Sequence, residues 1–360
     1  MESLTPVATA LLDHAADEAF ADLDTDPFRG ATILVTGATG LVGGAFCRAL
    51  LRSSAIRGLR LRLLLPARDP TRAAALFPTP DPATRVEPIL WPDLLSPLEA
   101  PPAEYAVHAA TATKSFDMAR RPVDTLLAAF EGTRGFLRWA TDAKPRKAVF
   151  LSSLEIYGTP PENGPDMEES SNGTLDPTRP RSSYPEGKRA AEALCAAAAA
   201  QRGVPVCIAR LAQTFGPGAA PDDPRAFAEF ARAAVSGRDI ALHTAGRTAR
   251  NYCHVSDAAG AILTLLGSGV PGEAYNVANE SSFVSIRELA ERFAATGGRG
   301  SRVICDNAGE SVFGYAPELR IRLLSGKLSL LGFQSRLGLD RMVGDLIAWY
   351  RAILPKRGSA

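Results

Sequence analysis

Apolar and polar positions alternate along the first part of the chain in blocks that predict strands and helices in turn. A compact apolar run at 31–35 predicts a buried strand, and a glycine-rich turn with a helix at about 41–53 follows it. The alternation continues with strands expected at 61–65, 105–108, 148–151 and 206–209, and helices at 72–77, 122–140 and 184–201. Regular strand–helix alternation indicates a parallel sheet covered on both faces, a Rossmann-type doubly wound α/β fold.

The pattern is different at the two ends of the chain. Residues 1–28 include one helical apolar face at 4–22 that Asp26-Pro27 interrupts, which predicts a short helical extension. Beyond Phe215, turns rich in proline and glycine separate a helix at 225–236, an extended piece at 239–243 and a helix at 255–267. We expect the main α/β domain at 29–215, with returns near 250–278, and a smaller substrate-binding lobe at 216–249 and 279–355.

Composition favours a cytoplasmic protein with small-molecule partners. The net charge is +1 without runs of like charge, so neither nucleic acid nor a membrane surface is an expected partner. The five cysteines are scattered and lack metal-ligand spacing with the four histidines, which predicts reduced thiols and no metal site. The N-terminus is acidic and no window approaches 18 uninterrupted apolar residues, so no export or anchor segment is expected.

The turn after the first strand has the spacing of a dinucleotide-binding loop. Gly37 would permit the tight turn, Gly40 would let the backbone approach a pyrophosphate, and Gly43 would let the helix lie close to the strand. The N–H groups and positive dipole end of that helix would face the anion. A plain tight turn is the alternative for such a pattern taken alone. The residues expected at the cofactor here are Gly37, Thr39, Gly40, Leu41, Val42 and Gly43.

Residues at the ends of later strands bear on the cofactor's identity. After the second strand, Asp69 would bond the adenosine ribose of NAD, whereas Arg68 would accept the 2′-phosphate of NADP. His108-Ala109-Ala110 ends a later strand, and Ala109 is expected on the nicotinamide side. A core histidine is the alternative for His108.

Tyr184 and Lys188 lie four residues apart at the start of a predicted helix, so both project from one face. An ammonium and an oxidised nicotinamide near the phenol would lower its pKa from about 10, which would make Tyr184 a base for a substrate hydroxyl. Ser153, at the end of a strand some thirty residues upstream, would orient the substrate oxygen. A surface helix pair is the alternative for Tyr-x-x-x-Lys alone.

These motifs together resemble the NAD-dependent epimerase/dehydratase family of extended short-chain dehydrogenases/reductases, from about residue 30 to 345. The string Pro180-Arg181-Ser182-Ser183-Tyr184-Pro185-Glu186-Gly187-Lys188-Arg189 is similar to the active-site helix of UDP-glucuronate decarboxylases. Three further segments match the family: Thr214-Phe215-Gly216-Pro217, Arg250-Asn251-Tyr252-Cys253-His254-Val255-Ser256-Asp257 and Tyr275-Asn276-Val277-Ala278.

The resemblance implies bound NAD, a nucleotide-sugar substrate and a homodimer built on two helices that include the one carrying Tyr184. By the resemblance, Asp93 would lie near the adenine and Arg250 would bind the nucleotide diphosphate. Segment 216–249 would close over the nucleotide. Arg320 or Arg322 would contact a substrate carboxylate. Further expected substrate-binding residues are Arg181 and Gln213. Gln213 stands where the family usually has asparagine, and Ala129 replaces another common asparagine.

Glu155 bears on the reaction that follows oxidation at C4 of the sugar. By the resemblance, plain 4-epimerases carry a small neutral residue there, whereas dehydratases and uronate decarboxylases carry glutamate. Such a carboxylate would act in proton transfer at C5 or steer a C6 carboxylate. A loop acid paired with Arg181 or Arg189 is the alternative. Leu154 stands where 4,6-dehydratases have aspartate, which disfavours dehydration.

The sequence therefore favours a decarboxylase, with Ser153, Glu155, Tyr184 and Lys188 as the predicted catalytic residues. A 4-epimerase, or a C5 epimerase or dehydratase, stays open as an alternative. So do an NADPH reductase of a free carbonyl substrate and, from another class, a non-catalytic dinucleotide-sensing protein.

Overall fold

The computed structural model describes residues 4–79, 81–111, 120–161, 164, 166–305 and 318–355. Its strands are β1 (Thr32–Thr36), β2 (Arg62–Ala67), β3 (Arg85–Leu90), β4 (Tyr105–His108), β5 (Lys147–Ser153), β6 (Asp166–Met167), β7 (Val206–Leu211), β8 (Gln213–Phe215), β9 (Ile240–Leu242), β10 (Ala249–His254), β11 (Ala274–Val277), β12 (Asn279–Ser285), β13 (Val303–Cys305) and β14 (Arg320–Leu323). Its helices are α1 (Pro6–Ala19), α2 (Leu41–Arg57), α3 (Pro70–Leu76), α4 (Pro122–Ala143), α5 (Ser183–Arg202), α6 (Ala226–Ser236), α7 (Val255–Ser268), α8 (Ile286–Gly297), α9 (Gly326–Ser329) and α10 (Leu339–Ile353).

Seven strands form one parallel sheet in the order β11-β7-β5-β4-β1-β2-β3. This is the strand order of a doubly wound fold, in which the chain starts near the middle and builds outward in both directions. The predicted Rossmann-type fold is therefore confirmed. The carboxyl ends of β1, β4 and β5 are adjacent. The glycine-rich turn follows β1, and Ser153 is the last residue of β5.

Alternate side chains of the central strands enter two separate hydrophobic clusters. Ile33 and Val35 of β1 pack into the cluster that also contains residues of α2 and α7, whereas Leu34 faces the cluster built with α4 and α5. Because successive side chains of a strand point to opposite faces, helices must cover both sides of the sheet. The continuous apolar composition of β1 and β2 reflects this two-sided burial.

A smaller lobe contains the remaining strands. β12, β10, β14 and β6 form a second sheet in that order, with β8 paired to β10, while β9 and β13 form a two-stranded sheet. A third hydrophobic cluster joins this lobe with α6, α8 and α10. The helix α8 begins with a capping box in which Ser285 and Glu288 satisfy each other's backbone N–H groups.

The N-terminal helix α1 connects the two lobes. Ala8 and Leu12, in its first half, pack into the cluster of the smaller lobe, whereas Ala16 and Ala19 pack into the core beside the main sheet. Beyond the helix, Arg57 of α2 donates hydrogen bonds to the carbonyl oxygens of Phe20, Ala21 and Leu23. The extension is thereby fixed to the body of the molecule at both ends.

Candidate active site

The glycine-rich turn leaves no room for side chains at two of its glycines. Gly37 has a φ of +71°, and a Cβ built there would lie 2.6 Å from the carbonyl carbon of Ala109. A Cβ on Gly43 would lie 2.5 Å from the Gly37 carbonyl oxygen. Gly40 is the N-cap of α2 and offers no side-chain acceptor to the first N–H groups of that helix. These groups are left for an anion, so the turn fits the pyrophosphate of a dinucleotide.

Of the three residues predicted near the adenosine half of the cofactor, Asp69 and Asp93 have local roles in the structure and Arg68 is exposed. Asp69 is the N-cap of α3 and accepts a 2.9 Å hydrogen bond from the Arg72 N–H, while Arg68 is exposed at the end of β2. Asp93 Oδ1 accepts hydrogen bonds from the N–H groups of Leu95 and Ser96, and the Ser96 bond holds the pKa of the Asp93 carboxyl below its ordinary value. Asp93 Oδ1 is thus occupied within its own turn.

His108 is a core histidine, the alternative interpretation to a position beside the nicotinamide. Its ring is buried, stacks on Phe136 at a centroid distance of 4.8 Å and also stacks on Phe150. Its Nδ1 lies 2.8 Å from the Thr36 hydroxyl. Burial lowers the pKa of His108 to about 3, and the charge of Lys188 acts in the same direction. The ring is therefore neutral at physiological pH.

Tyr184, Ser153 and Glu155 lie together where β5 ends and α5 begins. The Ser153 hydroxyl is within hydrogen-bonding reach of the buried Tyr184 hydroxyl. Ser153 also accepts a hydrogen bond of 3.2 Å from the Glu155 N–H, which starts the short 3-10 helix Leu154–Tyr157. Glu155 Oε2 in turn accepts a 2.8 Å hydrogen bond from Arg181 Nη2. The structure thus brings four predicted site residues together.

The pKa of the Tyr184 phenol is raised well above its ordinary value, chiefly because the ring is buried. The negative charge of Glu155 raises it further, while the Ser153 hydroxyl and the charges of Arg181 and Arg225 lower it. Arg225 was not singled out from the sequence. It follows a proline in a polar loop, and only the fold brings it near Tyr184.

Lys188 lies one turn beyond Tyr184 on α5 and is buried. Its ammonium donates a 2.7 Å hydrogen bond to the Leu151 carbonyl oxygen and lies 4.6 Å from the centre of the Phe150 ring. Burial lowers the pKa of Lys188 to about 8, and the charge of Glu192 opposes that shift. Lys188 therefore contacts β5 at Leu151, two residues before Ser153, the serine that would orient the substrate.

Two arginines hold the segment that carries Glu155 in place, and neither role was predicted from the sequence. Arg189 Nε donates a 2.6 Å hydrogen bond to the Ile156 carbonyl oxygen. Arg210, on β7, is paired with Glu192 and donates a 2.9 Å hydrogen bond to the Tyr157 hydroxyl. Because these bonds join α5 and β7 to the 3-10 helix, the Glu155 backbone has little freedom.

The arginines predicted for the substrate do not share one face of the small sheet. Arg250 is in register with Ile321 of β14, so Arg320 and Arg322, the neighbours of Ile321, project from the opposite face. The Nε atoms of Arg250 and Arg322 are both buried without a hydrogen-bond partner among the described residues. Arg322 Nη1 lies 3.9 Å from Asp166 Oδ1. The Arg320 guanidinium lies over the ring of Phe283 on β12. The assignment of Arg250 to the nucleotide diphosphate and of Arg320 or Arg322 to a substrate carboxylate therefore stays a prediction.

Other predicted features lie nearby. Gln213 begins β8 and is in register with Tyr252 of β10. Ala129 is buried on α4, where a Cβ built on Gly187 of α5 would lie 3.1 Å from its own Cβ. Its small side chain lets the two helices approach each other beside the turn between Tyr184 and Lys188.

Within the described ranges, no group of three or more His, Cys, Asp or Glu side chains is arranged to hold a metal ion. No helix in those same ranges is long and apolar enough to cross a membrane. All five cysteines are free thiols, and all except Cys305 are buried.

The model of the NAD-dependent epimerase/dehydratase family matches residues 33–278. Among curated proteins, UDP-glucuronic acid decarboxylase 1 of Xenopus tropicalis is 32% identical over 232 residues, which are 64% of this chain and 52% of the relative. UDP-glucuronic acid decarboxylase 3 of Arabidopsis thaliana is 33% identical over 47% of this chain and 48% of its own length. The chain thus spans about half the length of these curated relatives.

Solved structures support the fold. The UDP-glucose 4-epimerase of Thermotoga maritima superposes with a TM-score of 0.73 at 17% identity, covering 90% of this chain and 100% of that one. A dTDP-glucose 4,6-dehydratase from Streptomyces venezuelae, solved with NAD, gives a TM-score of 0.73 at 23% identity, covering 89% and 97% of the two chains.

Proposed function

Because this chain belongs to the NAD-dependent epimerase/dehydratase family, we propose that it oxidises C4 of a nucleotide-linked uronate and releases the C6 carboxyl group as CO₂. The substrate would be UDP-glucuronate or a close analogue. The observation that carries the proposal is the Glu155 carboxylate beside Tyr184 and Ser153, at the end of β5. Two curated relatives above 30% identity are UDP-glucuronic acid decarboxylases, which supports the same choice.

In this proposal Tyr184 removes the proton from the sugar's C4 hydroxyl. Ser153 donates a hydrogen bond that holds the same oxygen in place. Lys188, buried one helical turn away, contributes positive charge that favours the phenolate form of Tyr184. A ketone at C4 is β to the C6 carboxylate, so the C5–C6 bond electrons pass into the enolate as CO₂ leaves. Glu155 then acts in the proton transfer that restores hydrogen at C5.

NAD, when bound, would supply the hydride acceptor for C4 and afterwards the hydride donor. Gly37, Gly40 and Gly43 would hold its pyrophosphate against the start of α2, since that turn has no room for side chains and leaves helix N–H groups without side-chain caps. Thr39, Leu41 and Val42 would complete that contact, and Ala109 would lie beside the nicotinamide. NADP stays an alternative because Arg68 is exposed where a 2′-phosphate would lie, while Asp69 caps α3.

For the substrate we keep Arg250 as the diphosphate ligand, because its buried Nε lacks a partner among the described residues. Gln213 would lie near the sugar. The lobe formed by 216–249 and 279–355 would enclose the nucleotide, and the domain at 29–215 would hold the cofactor.

A 4-epimerase is the second proposal, and one observation favours it. The Glu155 carboxylate is paired with Arg181 at 2.8 Å, and a carboxylate held in an ion pair is also compatible with an enzyme that transfers no proton at C5. An epimerase would use the same tyrosine, serine and lysine but would return the hydride to the other face of the ketone.

The test begins by releasing and identifying the dinucleotide that purifies with the protein. The enzyme is then incubated with UDP-glucuronate in D₂O, and products are followed by mass spectrometry and NMR. Loss of CO₂, with deuterium at C5 of a UDP-pentose, is the expected result. A product of unchanged mass and inverted C4 would replace the decarboxylase with the epimerase.

We also propose a cytoplasmic homodimer. Val123, Leu126 and Leu127 at the start of α4 are exposed apolar side chains next to α5, a surface that a second copy would cover. Light scattering should give twice the monomer mass, and Leu127→Asp should give the monomer mass. A monomeric wild-type protein at micromolar concentration would remove the proposal.

A further inference from the structure

We propose that Arg181 is a positioning residue, the counter-charge that fixes the Glu155 carboxylate beside Tyr184, and not a ligand of the substrate. This inference rests on the proposed function and deepens it, because it assigns a new role to a residue that the sequence placed in the substrate site.

The geometry of the pair carries the inference. Arg181 Nη2 lies 2.8 Å from Glu155 Oε2, and the two side chains are only 34% and 22% exposed. Arg181 belongs to the short 3-10 helix Pro180–Ser182, whose end is continuous with α5 and its Tyr184. The pair therefore links the two chain segments that carry the predicted base and the predicted C5 group, 26 residues apart in sequence.

The backbone on both sides of the pair is held independently. Arg189 binds the Ile156 carbonyl oxygen at 2.6 Å, one residue after Glu155. On the other side, the Ser182 hydroxyl donates a 2.6 Å hydrogen bond to the Asp176 carbonyl oxygen. With both segments fixed, the Arg181 guanidinium restricts the remaining freedom of the Glu155 side chain.

Electrostatics explains why the site needs such a partner. Ionisation of a base is disfavoured by a neighbouring carboxylate, and a nearby cation offsets that effect. The groups that face the Tyr184 phenol are Ser153, Glu155, Arg181 and Arg225, with Lys188 one turn away on the same helix. Glu155 raises the pKa of Tyr184, whereas Arg181 and Arg225 lower it.

The experiment compares Arg181→Gln, Glu155→Gln and the double variant in the full-length enzyme loaded with NAD. The Tyr184 ionisation is followed by NMR of ¹³Cζ-labelled tyrosine, with the spectrum of Tyr184→Phe to assign the signal. We expect Arg181→Gln to raise the pKa of Tyr184, Glu155→Gln to lower it, and the double variant to return it towards the wild-type value. An unchanged Tyr184 pKa in Arg181→Gln would overturn the proposal whatever the substrate is.

Kinetics with UDP-glucuronate provides the second measurement. A mispositioned Glu155 should lower kcat by about 10- to 100-fold with KM nearly unchanged. Arg181→Lys should recover part of that loss, and Arg181→Gln should have little further effect once Glu155 is Gln. A large rise in KM, equal with and without Glu155, would instead identify Arg181 as a substrate ligand.

Arg179→Gln is the matched control. Arg179 lies two residues before Arg181, its side chain is 75% exposed, and it pairs with Asp176. It should change neither the Tyr184 ionisation nor kcat. If the wild-type enzyme releases no CO₂ while the NMR pattern is as expected, the decarboxylase proposal fails and the role of Arg181 stands. If the wild-type enzyme releases CO₂ but the Tyr184 pKa is unchanged in Arg181→Gln, the decarboxylase proposal stands and the proposed role of Arg181 fails.

Discussion

Lys188→Met should stabilise the protein while it removes activity. Lys188 is 2% exposed, and burial lowers its pKa from the ordinary 10.5 to about 8. At about 1.4 kcal/mol for each tenfold change in the protonation constant, holding the ammonium in this site costs about 3 kcal/mol at pH 7. The methionine side chain has similar length and no charge to desolvate. Loss of the hydrogen bond to the Leu151 carbonyl oxygen offsets about 1 kcal/mol, which leaves a net gain of about 2 kcal/mol.

The effect should depend on pH in a defined direction. Below pH 8 the lysine is protonated in both the folded and the unfolded protein, and the cost of burying the charge is fully present. Between pH 8 and 10.5 the folded protein binds fewer protons than the unfolded one, so the wild-type free energy of unfolding rises with pH. The advantage of Lys188→Met should therefore shrink across that window.

Urea unfolding of both proteins without dinucleotide, at several pH values from 7 to about 10, measures this difference. Lys144→Met removes one ammonium from the exposed end of α4 and serves as the control for net charge. A Lys188→Met protein that is less stable than wild type by the same amount at every pH would refute the reasoning. It would mean that the lysine contributes to packing and that its charge carries no burial cost.

Three further outcomes are expected. Tyr184→Phe should lower turnover by about 10²- to 10⁴-fold while dinucleotide binding is retained; unchanged turnover would remove Tyr184 from the chemistry. Gly43→Ala should weaken dinucleotide binding measured by calorimetry, because its Cβ would lie 2.5 Å from the Gly37 carbonyl oxygen, whereas Gly344→Ala, in open space on α10, should not. Arg57→Ala should lower the free energy of unfolding by about 2 kcal/mol because three backbone carbonyls of the N-terminal extension lose their donor; an unchanged unfolding midpoint would mean that the extension is held by α1 alone.

The main sheet could be predicted because its strands are buried on both faces. β1 and β4 appear in the sequence as short apolar runs, and each predicted helix between them is observed within a few residues. β3 was missed because it is the edge strand, contains Pro88, and begins with apolar and charged residues in alternation. The small sheet was missed for two other reasons. β6 and β8 have two and three residues, too few to show a period, and β10 and β12 are longer but consist largely of polar residues.

The site could be predicted only as far as its residues are neighbours in sequence or belong to one motif. The spacing of Tyr184 and Lys188 on a helix, and the position of Ser153 at a strand end, were sufficient to expect their shared location. From the sequence, Glu155 was either a catalytic carboxylate or a loop acid paired with Arg181 or Arg189. The sequence could not decide its pairing, because that depends on how two loops fold towards each other. Arg225 carries no local signal at all and becomes relevant only through the tertiary structure.

The faces from which the arginines of the small sheet project depend on the register between strands. Sequence alone does not give the alignment of β14 with β10, so it could not predict whether Arg320 and Arg322 share a face with Arg250. In the observed register the two sets of side chains project from opposite faces of the sheet. A shift of one residue would have reversed that result.

The central claim is that the ketone formed at C4 leads to loss of the neighbouring carboxylate. UDP-glucuronate labelled with ¹³C at C6 tests it most directly, with NAD-loaded enzyme and detection of labelled CO₂ by mass spectrometry. We expect labelled CO₂ in step with formation of a UDP-pentose, and neither product with Tyr184→Phe. Retention of the label in a nucleotide sugar of unchanged mass, with C4 inverted, would contradict it.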